Sequence, residues 1–297
     1  MGQKNNLVKN ASFLMIAAMI SKVIGLLYKS PLSSIVGNMG MGYISLAQNA
    51  YMILLMIASF SIPQAVSKLI SERIALKDYK NAQKIFHGSL IYAAIVGGIV
   101  ALVCLFGARF IIPSNQPNAI LALQILSPTI FLSGILGVYR GYFQAYRNMM
   151  PTSISQIIEQ VFNAVISIVG ASVLFGIGIK AGEKSGKELL GPAYGAAGST
   201  LGTVVGSLSG LLFLLFVIFI YKNVIRKQLK RDRTQNVESY SFLLKALLLT
   251  AIPVVFSTAV YNINQIIDQV AAEEKYSPEV VKTALQIIDR QRELVAV

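Results

Sequence analysis

The chain has 297 residues, 55% of them hydrophobic and only 13% charged, with mean hydropathy +0.63. A soluble domain carries roughly twice that fraction of charge, so the composition excludes one and points to a membrane-embedded protein. The formal charge of +13 then belongs to loops at a membrane surface rather than to a nucleic-acid interface, and the single cysteine, Cys104, excludes an internal disulfide and a cysteine metal cluster.

The apolar residues arrive in blocks of 20 or more, and about 20 residues of helix cross a ~30 Å hydrocarbon core. No stretch alternates as a transmembrane barrel strand would. The fold class is therefore all-α and polytopic. Seven spans are predicted, near residues 11–36, 43–66, 88–112, 119–145, 152–179, 193–221 and 242–267. The first run is too long for a signal peptide's apolar core and lacks the small-residue cleavage pattern, so it reads as an uncleaved span.

Lys and Arg alternate between connections. The segments expected inside hold 16, from Lys4 to Lys245, and those expected outside hold four, Arg109, Lys180, Lys184 and Lys187. The positive-inside rule therefore predicts a cytoplasmic N-terminus. The run from Lys222 to Arg233 reads as an orientation signal beside anionic lipid headgroups. After the seventh span, residues 269–297 are too charged to cross a bilayer. Ser277-Pro278 is a helix-start signal, and Val281, Leu285 and Ile288 predict a short amphipathic helix; a non-native tail is the alternative.

Within the spans, the costly residues are the informative ones. Lys22 lies near the middle of the first span, where an ammonium costs roughly 2.5–3.5 kcal/mol, and Lys29 is two turns on. On one continuous helix the two amines share a face, where they either line a hydrated cavity suited to an anionic group or make structural ion pairs. Gln156, Glu159, Gln160 and Asn163 form a polar strip on the fifth span. Arg140 on the fourth is placed to pair with Glu159, as a structural ion pair or as part of a gate or ion-coupling site. Asn264 and Asp268 end the seventh span. Gly198, Gly202, Gly206 and Gly210, four apart, predict a close helix-packing face on the sixth span, with a shorter version at Gly134, Gly137 and Gly141. Pro31, Pro63, Pro128, Pro151 and Pro253 predict bends or breaks. No metal-ligand spacing and no phosphate-binding Gly-rich loop is present, so no cofactor is expected and the chain reads as a transporter rather than an enzyme.

Three strings, in this order, carry a resemblance. They are Ser61-Ile-Pro-Gln-Ala-Val-Ser-Lys-Leu-Ile-Ser-Glu72, then Tyr139-Arg-Gly-Tyr-Phe-Gln-Ala-Tyr-Arg-Asn-Met-Met-Pro151 leading into Ser155-Gln-Ile-Ile-Glu-Gln160, and the Pro253–Asp268 helix ending Asn264-Gln-Ile-Ile-Asp268. They resemble the polysaccharide transporter and stage V sporulation protein B group of the multidrug/oligosaccharidyl-lipid/polysaccharide (MOP) flippase superfamily. The resemblance implies two pseudo-symmetric helical lobes around a cavity that opens alternately to either side, with residues 1–268 as the N-terminal lobe. It implies as substrate a polyprenyl-pyrophosphate-linked sugar, such as lipid II or a polysaccharide unit, moved from the inner to the outer leaflet of a bacterial cytoplasmic membrane. In lipid II flippases of this superfamily, basic residues of the first span line the cavity, and Ser21-Lys22, Gly25 and Lys29 stand at the matching place. Lys22, Lys29 and Arg140 are thus the candidate substrate-binding residues, and Gln156, Glu159, Asn163 and Asp268 the candidates for gating or ion coupling. The expected partners are the lipid-linked anionic sugar, membrane lipid, and a second lobe or a second copy. The competing readings are a cation-coupled multidrug exporter of the same superfamily, a membrane-embedded polyprenyl-phosphate enzyme, and an inactive truncated lobe.

Overall fold

The computed structural model describes residues 2–59, 61–232, 238–240, 245–246 and 249. Their order is α1 (Gly2–Leu27), α2 (Lys29–Ala58), α3 (Ile62–Ala75), α4 (Tyr79–Ile111), a 3-10 turn at Pro117–Ala119, α5 (Ile120–Ala145), α6 (Met150–Ser185) and α7 (Leu190–Arg231). No strand occurs among the described residues.

Of the seven predicted spans, the first six fall on described residues and the seventh does not. Among the described residues, four helices are long and apolar enough to cross a membrane, or five if Ser12–Leu27 and Lys29–Met56, bent by 45°, count as one. The predicted span at 242–267, Asp268 and the 269–297 tail lie outside the described residues. The spans predicted at 88–112, 119–145, 152–179 and 193–221 coincide with α4, α5, α6 and α7; α6 and α7 run past both predicted ends, α4 starts before its predicted start, and α5 keeps to its predicted bounds. The 42 residues of α7 make a rod of about 60 Å, about twice the ~30 Å that a bilayer core requires.

The differences fall in the first 75 residues, and prolines and one glycine cause them. Pro31 has no N–H for the Leu27 carbonyl and its ring crowds that carbonyl, so the predicted span at 11–36 bends at Tyr28. Gly37 adopts φ +67°, a left-handed conformation that glycine adopts without a Cβ clash. The expected loop at 37–42 is therefore only a kink, and helix continues to Ala58. Pro63 removes the donor for Ser59, and the helix breaks after Ala58, with Ile62 N–H turning back to the Ser59 carbonyl at 3.2 Å. The predicted span at 43–66 is thus divided between α2 and α3.

Pro128 stands inside α5 without breaking it. The Gln124 carbonyl that it strips of a donor accepts from Ser127 Oγ at 2.7 Å instead, the kind of local repair that membrane helices need. The glycines of α5 admit α3. A Cβ at Gly141 would come 2.6 Å from the Pro63 carbonyl oxygen, and one at Gly137 would press on the Pro63 ring at 3.2 Å.

Candidate functional site

The most extensive helix pair is α6 with α7, and the glycine stripe explains it. Along α7, Gly198 lies backbone to backbone on Gly170, Gly202 on Asn163 and Ser167, Gly206 on Glu159, and Gly210 on Ser155. The two helices turn back on each other at Gly186, whose φ of +68° supplies the left-handed residue that ends α6.

This close approach brings a polar network together between the C-terminal end of α5, the first turns of α6 and the middle of α7. Arg140 Nη2 pairs with Glu159 Oε2 at 2.7 Å, and Arg140 Nε donates to Ser155 Oγ at 3.1 Å. The other carboxylate oxygen of Glu159 accepts from Ser207 Oγ at 3.0 Å. One turn along, Asn163 Oδ1 accepts from Ser167 Oγ at 3.1 Å and from Thr203 Oγ1 at 3.4 Å. Both oxygens of Glu159 are thus engaged, and the guanidinium balances its charge, as a carboxylate removed from water requires.

On its other side α6 receives α1. A Cβ at Gly25 would come 4.0 Å from Gln160 Oε1, and Tyr28, at the bend, faces Asn163. Both contacts share an offset of 135 residues, so the helices rise in parallel, and the same offset sets Ser21 level with Gln156. Ser21 Oγ and Gln156 Oε1 are both buried without a hydrogen-bond partner. A buried polar atom left unpaired costs about 1–3 kcal/mol, so this contact is the less satisfied of the two that α6 makes.

Lys22 and Lys29 are exposed. Neither amine has a hydrogen bond or ion pair among the described residues. Lys22 follows Ser21 on α1, whereas Lys29 begins α2 beyond the bend, so the two do not lie along one straight helix as expected. Arg140 pairs with Glu159, and Asn163 lies one turn along on the same side of α6, whereas Gln156 has no partner in that network. Ser207, Tyr28 and Ser155 join them without having been legible. Ser207 is one residue from Gly206 in the stripe, the one signal that could have placed it opposite Glu159.

Comparison with known proteins places this geometry in a family. Residues 7–282 match the model of the polysaccharide biosynthesis protein family. The chain belongs to this family. It is 26% identical over 179 residues to stage V sporulation protein B of Bacillus subtilis (strain 168), covering 60% of this chain and 35% of that protein. It is 25% identical over 167 residues to the lipid II flippase MurJ of the same organism, covering 53% and 31%. The chain thus spans about a third of the length of the curated relatives it matches. Among solved structures, a MATE transporter in complex with MaD3S superposes with TM-score 0.72 at 17% identity, over 94% of this chain and 59% of that one. A MOP superfamily transporter from Pyrococcus furiosus, described as having a binding pocket of reverse polarity, gives TM-score 0.61 at 19% identity, over 94% and 60%. The fold is that of the MOP superfamily, and the chain is a membrane protein.

Proposed function

We propose that the chain is part of a flippase that moves a polyprenyl-pyrophosphate-linked sugar from the inner to the outer leaflet of a bacterial cytoplasmic membrane, with its N-terminus in the cytoplasm and residues 1–268 as one lobe. The carrying observation is the family match across residues 7–282 together with a relative named as a lipid II flippase. The unpaired amines of Lys22 and Lys29 support it. A pyrophosphate is a strong acceptor that a flexible ammonium can follow as it moves, while the polyprenyl tail stays in lipid. Arg140 is held by Glu159 and Ser155, so its role is to fix the α5–α6–α7 end of the lobe and to open or close with it. Gln156 and Asn163 belong to the same gate. Asp268 is proposed for ion coupling from its place in the sequence alone.

The second reading, a cation-coupled multidrug exporter, has the MATE likeness in its favour. Such a transporter needs a carboxylate open to a cation, and Glu159 already holds Arg140 and Ser207. The test is expression of this chain in a strain depleted of its own lipid II flippases. Return of growth and of outer-leaflet lipid II is expected. Failure of a stably inserted chain, beside rescue by an intact relative, overturns the reading.

A further inference from the structure

The cations at the elbow between α3 and α4 and those near the end of α7 are used in two ways. At the elbow they are committed within the fold: Arg73 Nη2 pairs with a Glu238 carboxylate oxygen at 2.6 Å, and Lys84 Nζ donates to the Glu238 carbonyl oxygen. On α7, Arg226, Lys227 and Lys230 are exposed and make no hydrogen bond or ion pair among the described residues. Helical spacing sets them on one face, because Arg226 and Lys227 lie seven residues after Phe219 and Ile220, and Lys230 fourteen after Phe216. The opposite face is the packed one. Ile218 and Ile225 lie against the core of α3, α4 and α5, and Gln228 Oε1 accepts from the Tyr146 hydroxyl at 3.3 Å. Phe216, Phe219 and Ile220 are 61%, 71% and 57% exposed on a helix apolar enough to cross a membrane, so this half of the outward face meets lipid chains. At 1.5 Å per residue, Arg226 and Lys227 stand about 10 Å and Lys230 about 15 Å beyond Ile220, where long stems reach back to the polar edge of a bilayer.

We propose that Arg226, Lys227 and Lys230 form a headgroup site for an anionic phospholipid, whose acyl chains lie along Phe216, Phe219 and Ile220. Three observations carry this. The three cations have no carboxylate among the described residues to neutralise them, so their charge is available to a phosphate. The helix that carries them is fixed from behind through Ile225 and Gln228, so the site stands ready without ordering any backbone. Finally, the apolar and basic halves share one face, which favours a lipid over a soluble polyanion: RNA or an acidic peptide would meet the cations and leave the apolar half unused. The site operates in the folded protein, beyond any part these residues play in orienting α7 during insertion. It does not rest on what the protein carries.

The purified chain, immobilised in neutral detergent and equilibrated with mixed micelles of phosphatidylglycerol and phosphatidylcholine in equal amounts, reads the site through the ratio of the two lipids it retains. A micelle has no two sides, so orientation during insertion does not enter. At about 0.1 M salt the ratio should be about fivefold in favour of phosphatidylglycerol, the equivalent of about 1 kcal/mol for a cation near anionic lipid. At about 1 M salt, where the screening length falls from about 10 to about 3 Å, it should approach unity. Arg226→Gln, Lys227→Gln and Lys230→Gln combined should bring the low-salt ratio below about twofold, with the thermal midpoint unchanged. If that midpoint falls, the salt series on the natural chain, which needs no substitution, decides. Lys180→Gln, Lys184→Gln and Lys187→Gln combined remove the same charge beside the turn between α6 and α7 and should keep the full preference. Equal retention of the two lipids by the natural chain, a preference kept by the α7 variant, or an equal fall in the α6–α7 control would overturn the site. Displacement of the retained phosphatidylglycerol by an RNA oligonucleotide at equal concentration would also overturn it, in favour of a soluble polyanion.

Discussion

The two sides of α6 are built differently. Towards α7 the contact is backbone on backbone: a Cβ on Gly198 would overlap the Gly170 carbonyl, and one on Gly202 would overlap Ser167 Oγ. The polar groups there are satisfied, Ser167 Oγ donating to the Ser199 carbonyl at 2.7 Å and Ser207 to Glu159. Towards α1 there are few contacts, two orphaned polar atoms and a bend. The outward face of α1 presents Met15, Met19 and Leu26, each at least 65% exposed. In a membrane, where lipid is as apolar as leucine, close packing and hydrogen bonds decide which helices stay together. The comparison teaches that the α6–α7 contact is closely packed and satisfied, and that the contact of α6 with α1, the helix that carries Lys22, is the looser of the two.

The largest expected effect lies on the α7 side. Gly198→Val has no space to relax into, since the obstruction is backbone, and its cost should exceed the ~1–3 kcal/mol of ordinary overpacking. The measurement is the thermal midpoint in detergent, where loss of the folded species is expected. Gly176, on the facing helix α6 with nothing within 4 Å of a Cβ, is the control, and Gly176→Ala should be neutral or stabilising by about 0.5–1 kcal/mol. A tolerated Gly198→Val would break the comparison outright.

Next comes the ion pair. Arg140→Gln leaves Glu159 in a largely buried site without its cation, a change worth about 3 kcal/mol. The double variant Arg140→Gln with Glu159→Gln should recover part of the loss. A double-mutant cycle in thermal or denaturant stability reads the coupling; strict additivity would show that the pair does not hold α5 to α6. The smallest effect is expected on the α1 side. Ser21→Ala and Gln156→Leu each remove an orphaned polar atom, so stability should stay level or rise by about 1 kcal/mol. A loss of more than that in the same melts would mean that these atoms do find partners.

How much of this was legible follows from what each signal averages over. Four spans were readable because α4, α5, α6 and α7 carry long uninterrupted apolar runs. The glycine stripe and the polar strip were readable because helical spacing alone puts Gly198, Gly202, Gly206 and Gly210 on one face and Gln156, Glu159, Gln160 and Asn163 on another. The first 75 residues were misdivided because hydropathy is a window average, whereas Pro31, Gly37 and Pro63 act at single peptide bonds. Lys22 and Lys29 were placed on one face by assuming a straight helix, and the Pro31 bend removes that premise. Glu238 on Arg73 and Ser207 on Glu159 join residues 165 and 48 apart, pairings that only tertiary packing creates.

The central claim is that α1 offers Lys22 to an anionic lipid-linked headgroup. Binding of a polyprenyl-pyrophosphate-linked sugar to the purified chain in lipid nanodiscs, measured for the natural protein and for Lys22→Gln, tests it most directly. The account predicts saturable binding that Lys22→Gln weakens about tenfold, the value of one charge-assisted phosphate contact of about 1.4 kcal/mol, with an unchanged thermal midpoint. Equal affinity in the two proteins, or binding of organic cations in place of the pyrophosphate lipid, would contradict it.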